Sequence, residues 1–431
     1  MKSRIIRILP PVLLDVGLPT LDVYTDISLI LGWFIAGHFN YAMAMTAPLI
    51  VQFFSTAIKW YQIEKPGIKK WSWIFLLLQV WPQLRAVKII RLLFQNRNNA
   101  NEKYKKLMVD IGSTEPFLEA YSSVMIMSII GGHAYFSVYN LDGNVNENTN
   151  STNNNFEAVF NSADKIGDGF MLWTLSWVTS FITASLGITK FLLNGPCPIL
   201  SDKGLLGGIC TWNFVLCFLV VLISIFTKLV FLRCTLDVLA ANGHISLASL
   251  VFLLHFIPNL AISLVSIFMV TGYDKQFLKI LVDFPGLWMM PVVTHLTFGP
   301  KRFSYFGSNT IVFDKRKLGF SKLLTVINMI ITISSYCITT IIVSFAYANE
   351  DYDLVIYDAK VSNFSVLVSI VIVSVICTVI FLVLDTSCCC NFSRSCQPQC
   401  CCGPSCFEFK YQYINITDKL EIWQCDEKEI Q

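Results

Sequence analysis

Between residues 10 and 385, apolar runs long enough to cross a bilayer follow one another with few interruptions. A spanning helix needs about 20 predominantly apolar residues. Eight stretches reach that length: roughly 10–37, 42–60, 111–139, 167–193, 205–233, 244–272, 320–348 and 361–385. Of the 431 residues, 54% are hydrophobic and 14% charged, against about 25% charged in soluble domains. A water-soluble fold has nowhere to put that much apolar surface. A soluble enzyme, a coiled-coil or collagen rod and a disordered chain are therefore excluded. The expected fold is an all-α polytopic membrane protein with eight transmembrane helices. A basic N-terminus (Lys2, Arg4, Arg7) precedes the first run, but no small-residue cleavage site follows it, so no cleaved signal peptide is expected.

Two further apolar stretches, 72–94 and 278–298, have basic residues on both flanks. Lys65, Lys69 and Lys70 precede the first, and Arg97, Lys103, Lys105 and Lys106 follow it. Lys275 and Lys279 precede the second; Lys301, Arg302, Lys315, Arg316 and Lys317 follow it. Lys and Arg collect on the cytoplasmic side, so each stretch is expected to leave the membrane where it entered. Pro82, Pro285 and Pro291 interrupt them, and Arg85, Lys88 and Arg91 recur at helical spacing. Two re-entrant hairpins on the cytoplasmic side fit this pattern.

The order of elements then repeats, which predicts two parallel repeats: residues 1–193 with hairpin 72–94, and residues 205–385 with hairpin 278–298. Residues 386–431 form a cytoplasmic tail rich in cysteine. Eight crossings put both termini in the cytoplasm. The loop 140–165 is rich in Asn and carries the sequon Asn150-Ser151-Thr152, an expected extracellular glycan site at Asn150.

Charges inside the spans are the candidate functional residues. Asp15, Asp22 and Asp26 are spaced by seven and four, which places them within about 40° of one helix face and over roughly 16 Å of its length. Each costs about 2.5–3.5 kcal/mol at the bilayer centre, so the stripe must face the bundle interior or a wet cavity. Interhelical pairing is one reading of such acids; a polar path is the other, and three on one stripe favour the path. Glu119 lies inside the third span and Lys228 inside the fifth, where an upper acid of the first is a candidate partner. Lys190, at an end of the fourth span, reads as a snorkelling side chain. His255 and His295 read as core histidines. The spans carry no catalytic or metal motif, so no enzyme activity, cofactor or metal is expected, and nothing points to nucleic acid.

Nine of the 15 cysteines lie in 388–425. In the cytoplasm they are not expected to form disulfides. Cys388, Cys389, Cys390, Cys400, Cys401 and Cys402 are expected S-palmitoylation sites beside the last span. A zinc site drawing on Cys396, Cys400, Cys402 and Cys406 is the rival reading.

The order of these features resembles the XK-related family of membrane proteins. The resemblance rests on LDVYTDISLILGWFIAGHFNYAMAMTAPLIVQFFSTAIKWYQIEK, with Asp22, Asp26, Ser55, Lys59, Trp60 and Tyr61 at the matching positions; on LLQVWPQLRAVKIIR; on YKKLMVDIGSTEPFLEAYSS, where Glu119 matches the first of two family glutamates; and on SWVTSF. It covers most of residues 10–298. The second family glutamate falls on Ser123, a Pro-Gln pair falls on Ile126 and Met127, and a family arginine falls on Lys228. The resemblance implies a plasma-membrane protein of eight crossings and two re-entrant helices that scrambles phospholipids such as phosphatidylserine without an energy source. It implies partners: membrane phospholipids, a single-span accessory subunit or lipid-transfer protein, and a caspase. In this tail the cut would fall at Asp418 or Asp426, exposing phosphatidylserine in apoptosis.

Asp15, Asp22, Asp26, Glu119 and Lys228 are thus the expected lipid path, standing in for headgroup hydration. An ion-coupled solute transporter or channel using the same acids, and a membrane adaptor that moves nothing, are the alternatives.

Overall fold

The computed structural model describes residues 12–64, 80–94, 114–141, 169–194, 212–241, 245–271, 285–294, 330–342, 353–356, 359–386, 411–417 and 420–425, with a few single positions beside them. In chain order the helices are α1 (Leu13–Ile35), α2 (Phe39–Glu64), α3 (Trp81–Phe94), α4 (116–141), α5 (Gly169–Asn194), α6 (Trp212–Ala241), α7 (Ile245–Thr271), α8 (Pro285–Val293), α9 (Ile330–Ile342) and α10 (Asn363–Thr386). Two antiparallel hairpins interrupt an otherwise helical architecture. One pairs β1 (Asp353–Ile356) with β2 (Ala359–Ser362), Asp353 opposite Ser362; the other pairs β3 (Tyr411–Thr417) with β4 (Leu420–Cys425), Tyr413 opposite Trp423. Among the described residues four helices are long and apolar enough to cross a membrane: α1, α2 over Phe39–Tyr61, α5 over Met171–Phe191 and α6 over Phe214–Arg233. These observations are those of an all-α membrane protein.

Two helices begin with a π turn, and a proline adjoins each. In α1 the turn Leu13–Gly17 closes with the Leu18 N–H donating to the Leu13 carbonyl, just before Pro19. In α4 the turn Pro116–Ala120 closes with the Tyr121 N–H donating to the Pro116 carbonyl. Pro19 brings no N–H, so the regular bonding pattern of α1 fails there and the wider turn takes its place, whereas Pro116 sits in the first turn of α4, where the missing N–H loses no bond. The link from α1 to α2 is a Schellman cap: His38 N–H donates to Trp33 O (2.8 Å) and Gly37 N–H to Phe34 O (3.2 Å). Gly37 takes the left-handed conformation that this cap needs, with φ at 86°.

Helix α1 packs on α5 and α2; α6 packs on α4, α5, α7 and α10; α7 carries α8. The first turn of α4 is wedged between α5 and α8. A Cβ on Gly187 would lie 2.1 Å from Pro116 Cγ, and one on Gly286 would lie 2.6 Å from the Phe117 ring. Only glycine admits this approach at both positions. The main core gathers Phe117, Tyr121, Ile188, Phe191, Val221 and Met290, and a smaller cluster gathers Leu29, Trp33, Met45 and Met127. Leu21, Leu31, Phe54, Ile223, Ile257 and Ile338 are exposed. Apolar side chains outside and polar ones inside are what a lipid solvent selects.

Candidate functional site

The interior of the first five helices is polar where α1, α4 and α5 meet. Asp22 and Asp26 of α1 and Glu119 from the π turn of α4 have no exposed surface. One carboxylate oxygen from each lies within 4.8 Å of the others. Four residues separate the two aspartates, so one face of α1 presents both. The bundle brings Glu119 to that same face.

Helix α5 answers the acids with hydroxyls. Ser180 Oγ donates to Asp22 Oδ1 at 2.5 Å and lies 3.4 Å from Asp26 Oδ1. Ser176 Oγ donates to Asp26 Oδ1. Thr25 Oγ1 donates to the Asp22 carbonyl at 2.9 Å and meets Thr179 Oγ1 at 3.2 Å. Each aspartate is left with a second oxygen, Oδ2, that accepts no hydrogen bond from the described residues. Both oxygens of Glu119 are in the same position, as is the hydroxyl of fully buried Ser123, one turn further along α4.

Nearer the start of α1 the chemistry changes. Lys190 Nζ donates to Asp15 Oδ1 at 2.6 Å and to the Leu14 carbonyl at 3.3 Å. Each of the two side chains is 6% exposed, so this is a buried ion pair. Glu115 is buried and close enough to feel both charges.

The expected acids are therefore placed together in part. Asp22, Asp26 and Glu119 form one layer; Asp15 belongs to a second, paired with Lys190. The expected snorkelling of Lys190 gives way to burial, because Asp15 supplies the partner that a lysine inside the bundle needs. Lys228 lies apart from this layer. It is fully buried on α6 and faces α7, its Nζ 6.0 Å from the centroid of the Phe256 ring and near His255. Helix α6 packs chiefly on α4, α5, α7 and α10, so its charge meets α7 first. His255 is a core histidine, as its apolar setting suggests: 1% exposed, ring-packed on Phe231 and Tyr336, and 3.3 Å from Thr339 Oγ1. Asn150, Cys388, Cys389, Cys390, Cys400, Cys401, Cys402, Asp418 and Asp426 lie outside the described residues.

The sequence reading missed Ser176, Ser180, Glu115 and Thr179. A signal was available: Ser176, Ser180 and Thr183 are spaced by four and three, one hydroxyl stripe on a helix unusually rich in Ser and Thr.

Three carboxylates this close, out of water, either share protons or are balanced by a positive charge. Hard cations such as Ca²⁺ take carboxylate and neutral oxygens, and Asp22, Asp26 and Glu119 with nearby serine hydroxyls are a donor set of that type. The amine of a lipid headgroup is a second source of the same charge. No protein-family profile, curated protein or solved structure matches the chain.

Proposed function

We propose that this protein is a phospholipid scramblase of the XK-related kind. The observation that carries the reading is the carboxylate layer: Asp22 and Asp26 in the middle of an apolar helix, each bonded through one oxygen to serine and open at the other, with buried Glu119 beside them. Such groups are expensive in a membrane and mark a polar pathway rather than a packing element. In this reading a headgroup crosses along α1, its amine drawn by Asp22, Asp26 and Glu119, while the acyl chains stay on the apolar outer faces. Asp15 with Lys190 lines one end of the path.

The same reading includes eight crossings, with α3 and α8 as the return arms of cytoplasmic hairpins, and both termini cytoplasmic at the plasma membrane. The described helices run long, long, short, long, long from α1 to α5; α6, α7, α8 and α10 repeat long, long, short and a final long helix. The packing of α1 on α2 and α5 parallels that of α6 on α7 and α10, which supports two parallel repeats. Palmitoylation of the cysteine cluster, a caspase cut in the tail and a lipid-transfer or single-span partner remain parts of this proposal.

A specific observation favours a second reading, an ion-coupled transporter: the three carboxylate oxygens within 4.8 Å suit a cation as well as an amine. Purified protein in liposomes carrying a headgroup-labelled lipid separates the two. Quencher access to inner-leaflet lipid without an ion gradient supports scrambling. Flux of solute that depends on a gradient, with lipid flip at the rate of empty vesicles, overturns it.

A further inference from the structure

Helix α3 carries a polarity that the carboxylate layer does not use. Gln83, Ala86 and Ile90 are buried, and the helix packs on the π turn of α1. The opposite side is exposed and reads Leu84, Val87, Lys88 and Arg91. At about 100° per residue these four fall on a single stripe roughly 10 Å long. The stripe is apolar in its first turn and cationic in its second. Arg85 lies off it, with its guanidinium carbon 5.6 Å from the centroid of the Trp81 ring. No acid occurs anywhere in residues 81–94.

A face that changes from Leu and Val to Lys and Arg within two turns reproduces the step from acyl chain to headgroup. Lys88 and Arg91 are three residues apart and therefore neighbours on the surface, within reach of one headgroup. Arginine grips a phosphate with two parallel N–H donors, and lysine adds a point charge.

We propose that the exposed face of α3 over residues 84–91 is a docking surface for an anionic phospholipid. The acyl chains lie along Leu84 and Val87, and Arg91 and Lys88 hold the phosphate and the additional negative charge of the headgroup. Charge complementarity selects the occupant. A zwitterionic lipid presents the same phosphate together with its own cation, whereas a net negative lipid gains roughly fivefold per basic residue at a membrane surface. This surface does not depend on lipid transport; it is a place of residence beside the turn that carries Asp15.

The test uses the full-length protein in phosphatidylcholine vesicles with trace spin-labelled phosphatidylserine or phosphatidylcholine. The motionally restricted part of each spectrum gives the relative affinity of the two headgroups and needs no flip to be read. The expected result is a several-fold preference for phosphatidylserine at low salt, weakening as salt rises. It falls towards unity in K88Q/R91Q, by about half in each single variant, and survives in K88R/R91K. Added inorganic phosphate competes no better than chloride of equal ionic strength if a lipid, not a free anion, is the ligand. Equal affinity for the two lipids in the wild-type protein overturns the proposal. So does a preference that K88Q/R91Q retains, or, should that variant fail to fold, one that both single variants retain.

Discussion

Two polar seams run through this bundle, and they are built on opposite plans. Between α7 and α9 the groups satisfy one another. Asn259 Nδ2 donates to the His255 carbonyl at 2.8 Å, Asn259 Oδ1 accepts from Thr332 at 2.8 Å, and Thr339 reaches the His255 ring. Phe231, His255 and Tyr336 close over them with ring centroids 4.3–4.9 Å apart. Between α1 and α5 the acids use one oxygen each on serine and keep the other open. The first plan joins helices. The second leaves an acceptor on each aspartate that takes no hydrogen bond from the described residues. Burial alone does not separate them, since both seams are almost fully enclosed; the state of the second oxygen does.

The sharpest way to break this contrast is D22N/D26N. Amides of the same shape keep the packing and remove the charge, so lipid flip in liposomes is expected to drop to the rate of protein-free vesicles while the melting temperature holds. Loss of folded protein instead makes the acids a packing element, and the two seams become alike.

The next largest effect is on stability. K190M leaves Asp15 buried without its cation, at an expected loss of about 3–5 kcal/mol. Adding D15N to that background restores most of it. Thermal unfolding in detergent measures both, and a K190M protein as stable as wild type overturns the burial of this pair.

G187A tests the wedge that carries Glu119 to the acids. With its Cβ directed at Pro116, an overpacking cost of about 1–3 kcal/mol is expected. Lipid flip should slow with it, because the first turn of α4 moves as a unit. Unchanged melting and flip show that the wedge does not position Glu119.

The smallest effect sharpens the other seam. T339V removes one hydroxyl contact to His255, worth about 0.6 kcal/mol between membrane helices, and flip should not change. A T339V protein that folds and flips poorly would place the α7–α9 seam on the path as well.

The helices were legible in the sequence because a bilayer demands long apolar runs. The apolar stretches 10–37, 42–60, 167–193, 244–272 and 361–385 have the bounds of helices α1, α2, α5, α7 and α10 to within a few residues. The face shared by Asp22 and Asp26 was legible from a spacing of four. The partner of Lys190 was not: helix periodicity fixes which residues share a face, never which helix lies opposite. Lys228 shows the same limit, since hydropathy placed it in a span and only packing turns it to α7. The π turns were out of reach for another reason, because Pro19 and Pro116 are compatible with several local solutions.

The hydroxyls of α5 have a temporal consequence. Thr179 donates to the carbonyls of Leu175 and Ser176 on its own helix, whereas Ser176 and Ser180, on the same stretch, donate across to the acids. Both arrangements are open to a serine or threonine, and one χ1 rotation converts one into the other. Rotation of one hydroxyl displaces far less of the packed interior than a shift of whole helices, which takes microseconds to milliseconds. The seam is in this sense a bank of rotors. On the proposed lipid path, these rotations would turn the hydroxyls from acid to headgroup without any parting of α1 and α5, and the protein itself would re-solvate the acids.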